Sequence, residues 1–213
     1  MAHQPPLSEK REAQLIDLAR AGDRGAMGEL LTAYHRQVYH VCLRMVSHAE
    51  DAADLTQDTL LKAAKNLDSF RGGSRFRTWL FRIAMNQSIS HLRKRKVRMT
   101  VSLDQPVESD GGLEGTQAGQ LRSMIAEDRE PGPDQSVETN EQIAIVLAAV
   151  DRLDESLKAV ILLRDLQDMD YQQIADVLNI PVGTVKSRLF QARLALRAEL
   201  AQREGKTRKS SNG

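Results

Sequence analysis

Between Phe70 and Arg98 the sequence reads FRGGSRFRTWLFRIAMNQSISHLRKRKVR, a stretch that holds nine cations (Arg71, Arg75, Arg77, Arg82, Arg93, Lys94, Arg95, Lys96 and Arg98) and no carboxylate. The whole chain of 213 residues carries a net charge of only +1, so this charge is segregated. Cations set beside Phe76, Trp79 and Phe81 suit a groove that follows phosphates and stacks bases. The competing reading is a solvated basic helix whose aromatics all belong to the core. A second set, Thr184, Lys186, Ser187, Arg188, Phe190 and Gln191, combines cations, hydroxyls, an amide and an aromatic at the spacing of one helix. Lys186, Ser187, Phe190 and Gln191 suit base edges and a thymine methyl in a major groove, whereas Thr184 and Arg188, near the helix start, suit phosphates. A third set, Asp51, Asp54 and Asp58 with Lys62 and Lys65, forms a charged helix face. Nothing in the sequence offers a Ser/His/Asp arrangement, a phosphate loop or a metal cluster, so the reading is of a protein without catalytic residues, metal or cofactor. Cys42 is the sole cysteine, and His35 and His40, five apart, do not share a helix face.

These sets need elements to hold them. Hydrophobic residues make up 41% of the chain and aromatics 4%, so the core must come mainly from aliphatic residues. The opening MAHQPPLSEKREAQ lacks an apolar signal core, and no apolar run nears the roughly 18 residues of a membrane span, which predicts a cytoplasmic chain without membrane insertion. A short helix is expected from Ser8, its N-cap, to Ala21, and a longer one from the cap Asp23, with Met27, Leu30, Leu31, Tyr34, Val38, Val41, Cys42 and Met45 recurring at helical spacing. Ser47 to Glu50 reads as a capping box opening a third helix, with Ala53, Leu60, Ala64 and Leu67 on its inner face. Gly72 and Gly73 break the chain before a fourth helix starting near Ser74. On that helix Arg82, Asn86, Ser90 and Arg93 fall in one stripe, opposite Leu80, Phe81, Ala84, Met85 and Leu92; Trp79 lies near the polar stripe, and packing and stacking both remain open for it.

After Arg98 the composition changes. Residues 99–138 are rich in glycine and proline, with nine carboxylates against Arg122 and Arg129, and read as a flexible acidic linker with at most a weak helix near Gln120 to Asp128. Helical periodicity returns over 139–204. Asn179 stands where a left-handed residue ends a helix, and Ile180-Pro181-Val182 makes the turn into a long last helix. Ile174 and Ala175 let the two helices approach, Ile180 plugs the corner, and Val185, Leu189, Ala192 and Leu196 face inward, which is a helix-turn-helix pattern. The basic tail 205–213 reads as disordered.

DLTQDTLLKAAKNL (Asp54 to Leu67), the Phe70 to Lys94 stretch and DYQQIADVLNIPVGTVKSRLFQARLAL, in this order and with this linker, resemble the bacterial RNA polymerase sigma factors of the extracytoplasmic-function (group four) subclass, over nearly all of Leu7 to Glu204. The resemblance implies an all-α fold of two small helical domains, 7–98 and 139–204, joined by the linker. It implies that Asp51, Asp54, Gln57 and Asp58 bind core RNA polymerase. Arg75, Phe76, Arg82, Asn86, Arg93 and Lys94 would handle the minus-ten element, the Gly72 to Phe76 loop and Asn86 holding a flipped base. Thr184, Lys186, Ser187, Arg188, Phe190 and Gln191 would read the minus-thirty-five element. The linker would thread the polymerase cleft. Further expectations are promoter DNA and an anti-sigma protein as partners, a monomer when free, and transcription initiation under a stress signal as the role. The sequence departs from the family where Leu60 and Ala64 stand in place of common aromatics. The alternative is a helix-turn-helix operator-binding regulator that is not a polymerase subunit, which leaves the Gly-Gly loop, the basic helix and the acidic face without a reason.

Overall fold

The structure, a computed structural model, describes residues 7–102 and 145–210, with side chains over 7–98 and 145–201. The expected acidic linker, apart from its first residues, lies outside the described residues, as does the weak helix expected near Gln120 to Asp128. Among the described residues the chain is all α. In order come α1 (Glu9–Arg20), α2 (Arg24–Val46), α3 (Ala49–Lys65), a 3-10 turn (Leu67–Ser69) and α4 (Phe76–Ser102). Then follow α5 (residues 145–150), α6 (Glu155–Ile161) running into a π turn (Leu162–Leu166), α7 (Tyr171–Leu178) and α8 (Val182–Ser210). α4 extends into the segment expected to be linker, and α8 runs through most of the tail expected to be disordered.

The helices start where side chains satisfy their first amides. Ser8 accepts from the Arg11 amide, and Asp23 accepts from the amides of Gly25 at 2.8 Å and Ala26 at 3.0 Å. The expected capping box at Ser47 is corrected by one residue. Ser47 ends α2 in the left-handed conformation, φ 57°, and His48 caps α3, its Nδ1 accepting from the Asp51 amide. Asp170 caps α7 reciprocally with Gln173, and Asn179 ends it in the left-handed conformation, φ 53°.

α2 is the central element of the first four helices. It buries Leu30, Tyr34, Val38, Val41, Cys42 and Met45 and packs against α1, α3 and α4. α4 answers with Phe76, Leu80, Phe81, Ala84 and Met85, none more than 1% exposed, and each large one contributes about 1.5–3 kcal/mol. The inner face of α3 differs from expectation: Ala52, Leu55, Thr56, Thr59 and Ala63 are buried, while Ala53 is exposed. Two threonines carry this face because their hydroxyls are satisfied there. Thr56 donates to the Ala52 carbonyl at 2.6 Å, and Thr59 accepts from Gln87 of α4 at 2.9 Å. In the second unit α6 packs on α8, and Ile174, Ala175, Val177, Val185, Leu189 and Ala192 close the helix-turn-helix. This unit rests directly on the first, α7 against α4 and α6 against α2.

Candidate promoter and polymerase surfaces

The acidic face of α3 is open to solvent at Asp54, Gln57 and Asp58. Leu61 joins them at the next turn with 57% exposure, an apolar residue that a search for charge passes over. Asp51 continues the stripe by position but is drawn aside: its carboxylate lies 3.3 Å from His91 Nε2 of α4 and 3.6 Å from His48 Nδ1. The structure therefore groups three of the four expected polymerase contacts and gives the fourth a role in joining α3 to α4.

At the start of α4, Gly72 adopts φ 73°, which a side chain would strain, and a Cβ there or at Gly73 would meet nothing within 4 Å. The loop is thus shaped by backbone conformation and stands clear of its own protein. Arg75 is exposed, 3.9 Å from Glu9. Phe76 is corrected from the expected base-stacking role: it is 1% exposed and its ring lies 5.4 Å from that of Tyr34 and 5.5 Å from those of Phe70 and Trp79. Trp79, half-buried against the same two phenylalanines, is chiefly a packing residue. This aromatic cluster anchors the loop from beneath. Tyr34 extends it with a hydroxyl that donates to Glu12; burial first, then that bond, push its ionisation well above the usual tyrosine value.

Along the outer stripe of α4, Asn86, Ser90, Arg93 and Lys94 are exposed. Arg82 is half-buried, beside the helix-turn-helix corner formed by Asn179, Ile180, Pro181 and Val182, and its Nε is buried without a hydrogen-bond partner. Arg77, absent from the expected set, is turned the same way. It donates to the Gln167 carbonyl at 3.2 Å and to Gln167 Oε1 at 2.7 Å, lies 5.1 Å from the centroid of the Phe81 ring, and is made less basic chiefly by burial.

On α8, Lys186, Ser187, Phe190 and Gln191 are all exposed, Phe190 by 71%, and Leu194 continues the patch with 59% exposure. The structure thus brings the four expected base-reading residues onto one open face. Ser187 donates to the Thr184 carbonyl at 3.0 Å, which leaves its oxygen lone pairs outward. Thr184 and Arg188 are half-buried at the flank, where a phosphate contact is geometrically reasonable.

Residues 30–98 match the family described as Sigma-70 region 2, and residues 143–196 match Sigma-70, region 4. The RNA polymerase sigma-H factor of Pseudomonas aeruginosa is 34% identical over 190 residues, 89% of this chain and 94% of that protein. The ECF RNA polymerase sigma factor SigW of Bacillus subtilis is 31% identical over 87% of this chain and 94% of its own length. Among solved structures, RpoE from Bartonella quintana, in complex with the anti-sigma factor NepR, matches with TM-score 0.59 at 26% identity, over 82% of this chain and 96% of that one. CnrH, in complex with the cytosolic domain of CnrY, shares the fold with TM-score 0.59 at 22% identity, over 90% of this chain and 98% of that one. With both regions in order and a third of its residues shared along nearly the whole length, the chain belongs to the ECF sigma factors of RNA polymerase.

Proposed function

We propose that this sigma factor binds core polymerase through Asp54, Gln57, Asp58 and Leu61, and reads the minus-thirty-five element through Lys186, Ser187, Phe190 and Gln191. Arg75, Arg82, Asn86, Arg93 and Lys94 engage the minus-ten element, where the Gly72 loop and Asn86 hold a flipped base. Asp51 orients α3 against α4 through His91. Phe76 supports the loop from the core, and Thr184 and Arg188 take phosphates. The protein works in the cytoplasm, beside the polymerase, as a monomer before assembly, and contributes binding and strand capture with no covalent chemistry of its own. Among the described residues no helix is long and apolar enough to cross a membrane.

The observation that carries this reading is the separation of three open surfaces of distinct chemistry, one acidic, one basic and one mixed, on three different helices. An operator-binding regulator needs only the last. Adding the protein to sigma-free core polymerase should give initiation from its cognate promoter. Operator-like binding to duplex DNA with no effect on initiation would defeat the proposal. We extend it to an anti-sigma partner, as in the complex of RpoE with the anti-sigma factor NepR. The exposed pair Phe190 and Leu194 gives such an inhibitor apolar surface beside the base-reading residues.

A further inference from the structure

Along α4 the apolar anchorage fades just where the promoter-facing residues begin. Phe76, Leu80, Phe81, Ala84 and Met85 are buried, but between Asn86 and Arg98 only Ser88 is, and its hydroxyl has no hydrogen-bond partner. Ile89 and Leu92 are half-buried. Asn86, Ser90, Arg93 and Lys94 therefore stand on a part of the helix that no fully buried bulky side chain holds against rotation. The buried side of α3 adds little grip, since apart from Leu55 it consists of Ala52, Thr56, Thr59 and Ala63, and small side chains make shallow ridges.

Gln87 supplies the missing constraint. Its Nε2 donates to Thr59 Oγ1 at 2.9 Å, and its Oε1 accepts from Lys62 Nζ at 2.8 Å. An ammonium only donates, so Lys62 fixes which way the amide points and with it the bond to the fully buried Thr59. One turn further along α4, His91 Nε2 lies 3.3 Å from the Asp51 carboxylate. Polar contacts thus pin α4 to α3 at two points, and Asn86 directly precedes the first. With side chains reaching about 5–6 Å from the helix axis, turning α4 by only about 10° would shift the Asn86 amide by about 1 Å. That is enough to spoil its hydrogen bonds to a captured base.

We propose that Gln87 is a positioning residue for promoter capture: held between Thr59 and Lys62 of α3, it fixes the rotation of α4 and so aims Asn86 at the flipped base of the minus-ten element. The inference rests on the assignment of Asn86 to that base made above. Gln87 is turned toward α3 and acts through its neighbour. Lys62 stands one turn beyond Asp58, so the residue that orients the promoter helix is fastened to the edge of the exposed acidic face of α3.

The test uses the full chain with core polymerase and a labelled minus-ten non-template strand, intact or with one base at a time replaced by an abasic site. Asn86→Ala should lose at least about fivefold in affinity for the intact strand and become indifferent to the abasic site at one position. Gln87→Met keeps the length of the side chain and removes both polar atoms; it should lose at least about threefold and become less sensitive at the same position. Lys62→Met, a change at an exposed position, releases one end of the amide and should give a smaller loss there. Gln87→Glu, which still accepts from Lys62 and can accept from the Thr59 hydroxyl, should bind within about twofold of wild type. The double variant Gln87→Met with Asn86→Ala should bind no more weakly than Asn86→Ala alone. A merely structural Gln87 would instead weaken all strands alike; that pattern, or losses that multiply in the double variant, overturns the proposal. If Asn86→Ala weakens capture and Gln87→Met does not, the assignment of Asn86 stands and the positioning role falls. If Asn86→Ala changes nothing, the assignment itself fails and takes the proposal with it.

Discussion

Phe76→Leu separates a supporting role for this ring from a base-stacking one. The ring is 1% exposed and meets the rings of Tyr34, Phe70 and Trp79 at centroid distances of 5.4 to 5.5 Å. Each aromatic pair is worth about 0.5–1.5 kcal/mol beyond area burial, so three lost pairs cost about 1.5–4.5 kcal/mol, and leucine recovers part of the volume. A net loss of about 2–3 kcal/mol is expected, rising to about 3–5 kcal/mol for Phe76→Ala. At about 4–8 °C per kcal/mol for a domain of this size, Phe76→Leu should lower the melting temperature by about 8–24 °C. Calorimetry measures that shift. Fluorescence anisotropy of a labelled minus-ten non-template strand with holoenzyme, at a temperature where both variants are folded, measures the other role. Support from the core predicts affinity within about twofold of wild type. Stacking predicts a loss of about 1–3 kcal/mol per base, from fivefold to more than a hundredfold, with stability unmoved. A melting shift below 2 °C together with a tenfold loss of strand affinity would refute the placement of Phe76 in the core.

Lys186→Ala should relax selectivity at one base position of the minus-thirty-five element by about 1–3 kcal/mol, whereas Arg188→Ala should weaken all sequences alike and reduce the salt slope by about 1; competition binding across a site library and a salt titration check both, and the reverse pattern would exchange their roles. Asp58→Arg, on the exposed face of α3, should weaken core polymerase binding at least tenfold in a pull-down or anisotropy titration and leave melting unchanged within about 0.5 kcal/mol. Tyr34 supplies a pH test. Its ionisation is raised in the folded state by burial and by its bond to Glu12, so its stabilisation is complete below pH 10 and is lost as pH climbs from there toward the folded-state value. Above pH 10 the wild type should lose about 1.4 kcal/mol per pH unit that Tyr34→Phe does not, measured by urea denaturation at stepped pH; parallel profiles would contradict the buried hydroxyl.

The sequence makes the helices legible chiefly through their ends. Ser8, Asp23, Asp170 and Asn179 stand where their side chains or backbone conformations are used, because capping is a local interaction that sequence spacing specifies. The mistakes arise where a distant partner decides. Thr56 and Thr59 look polar until Ala52 and Gln87 satisfy their hydroxyls, and counting only apolar residues turns the inner face of α3 by one position. Phe76 belongs by neighbourhood to a nucleic-acid loop and by contact to the core. Lys158, between Leu157 and Val160, carries no sign in the sequence that it is buried; Asp151 and Ser47 supply the reason. The exposed face of α8 that is proposed to read bases was legible because a single helix carries all four residues. The covering of Arg82 was not, since it depends on two segments about a hundred residues apart.

The placement of the aromatics also limits what the protein does to DNA. Opening one helical turn of duplex, about 10 steps, costs about 14 kcal/mol, and each captured base returns about 1–3 kcal/mol. Phe70, Phe76 and Phe81 are committed to the core and Trp79 is half-committed, so α4 does not offer a row of rings to an unwound strand. What remains near the loop is polar: Arg75, Asn86, and the stripe through Arg93 and Lys94. Such a surface can hold one or two bases and their phosphates, worth about 1–6 kcal/mol, well short of the cost of a full turn. The rest of the opening energy must come from polymerase contacts with the separated strands. A protein with so small a capture surface depends on placing the right base in the loop, which is why its promoter should tolerate few substitutions in the minus-ten element, each costing at least tenfold in initiation. A promoter series in which such substitutions hardly change initiation would show that capture is broader than this surface allows.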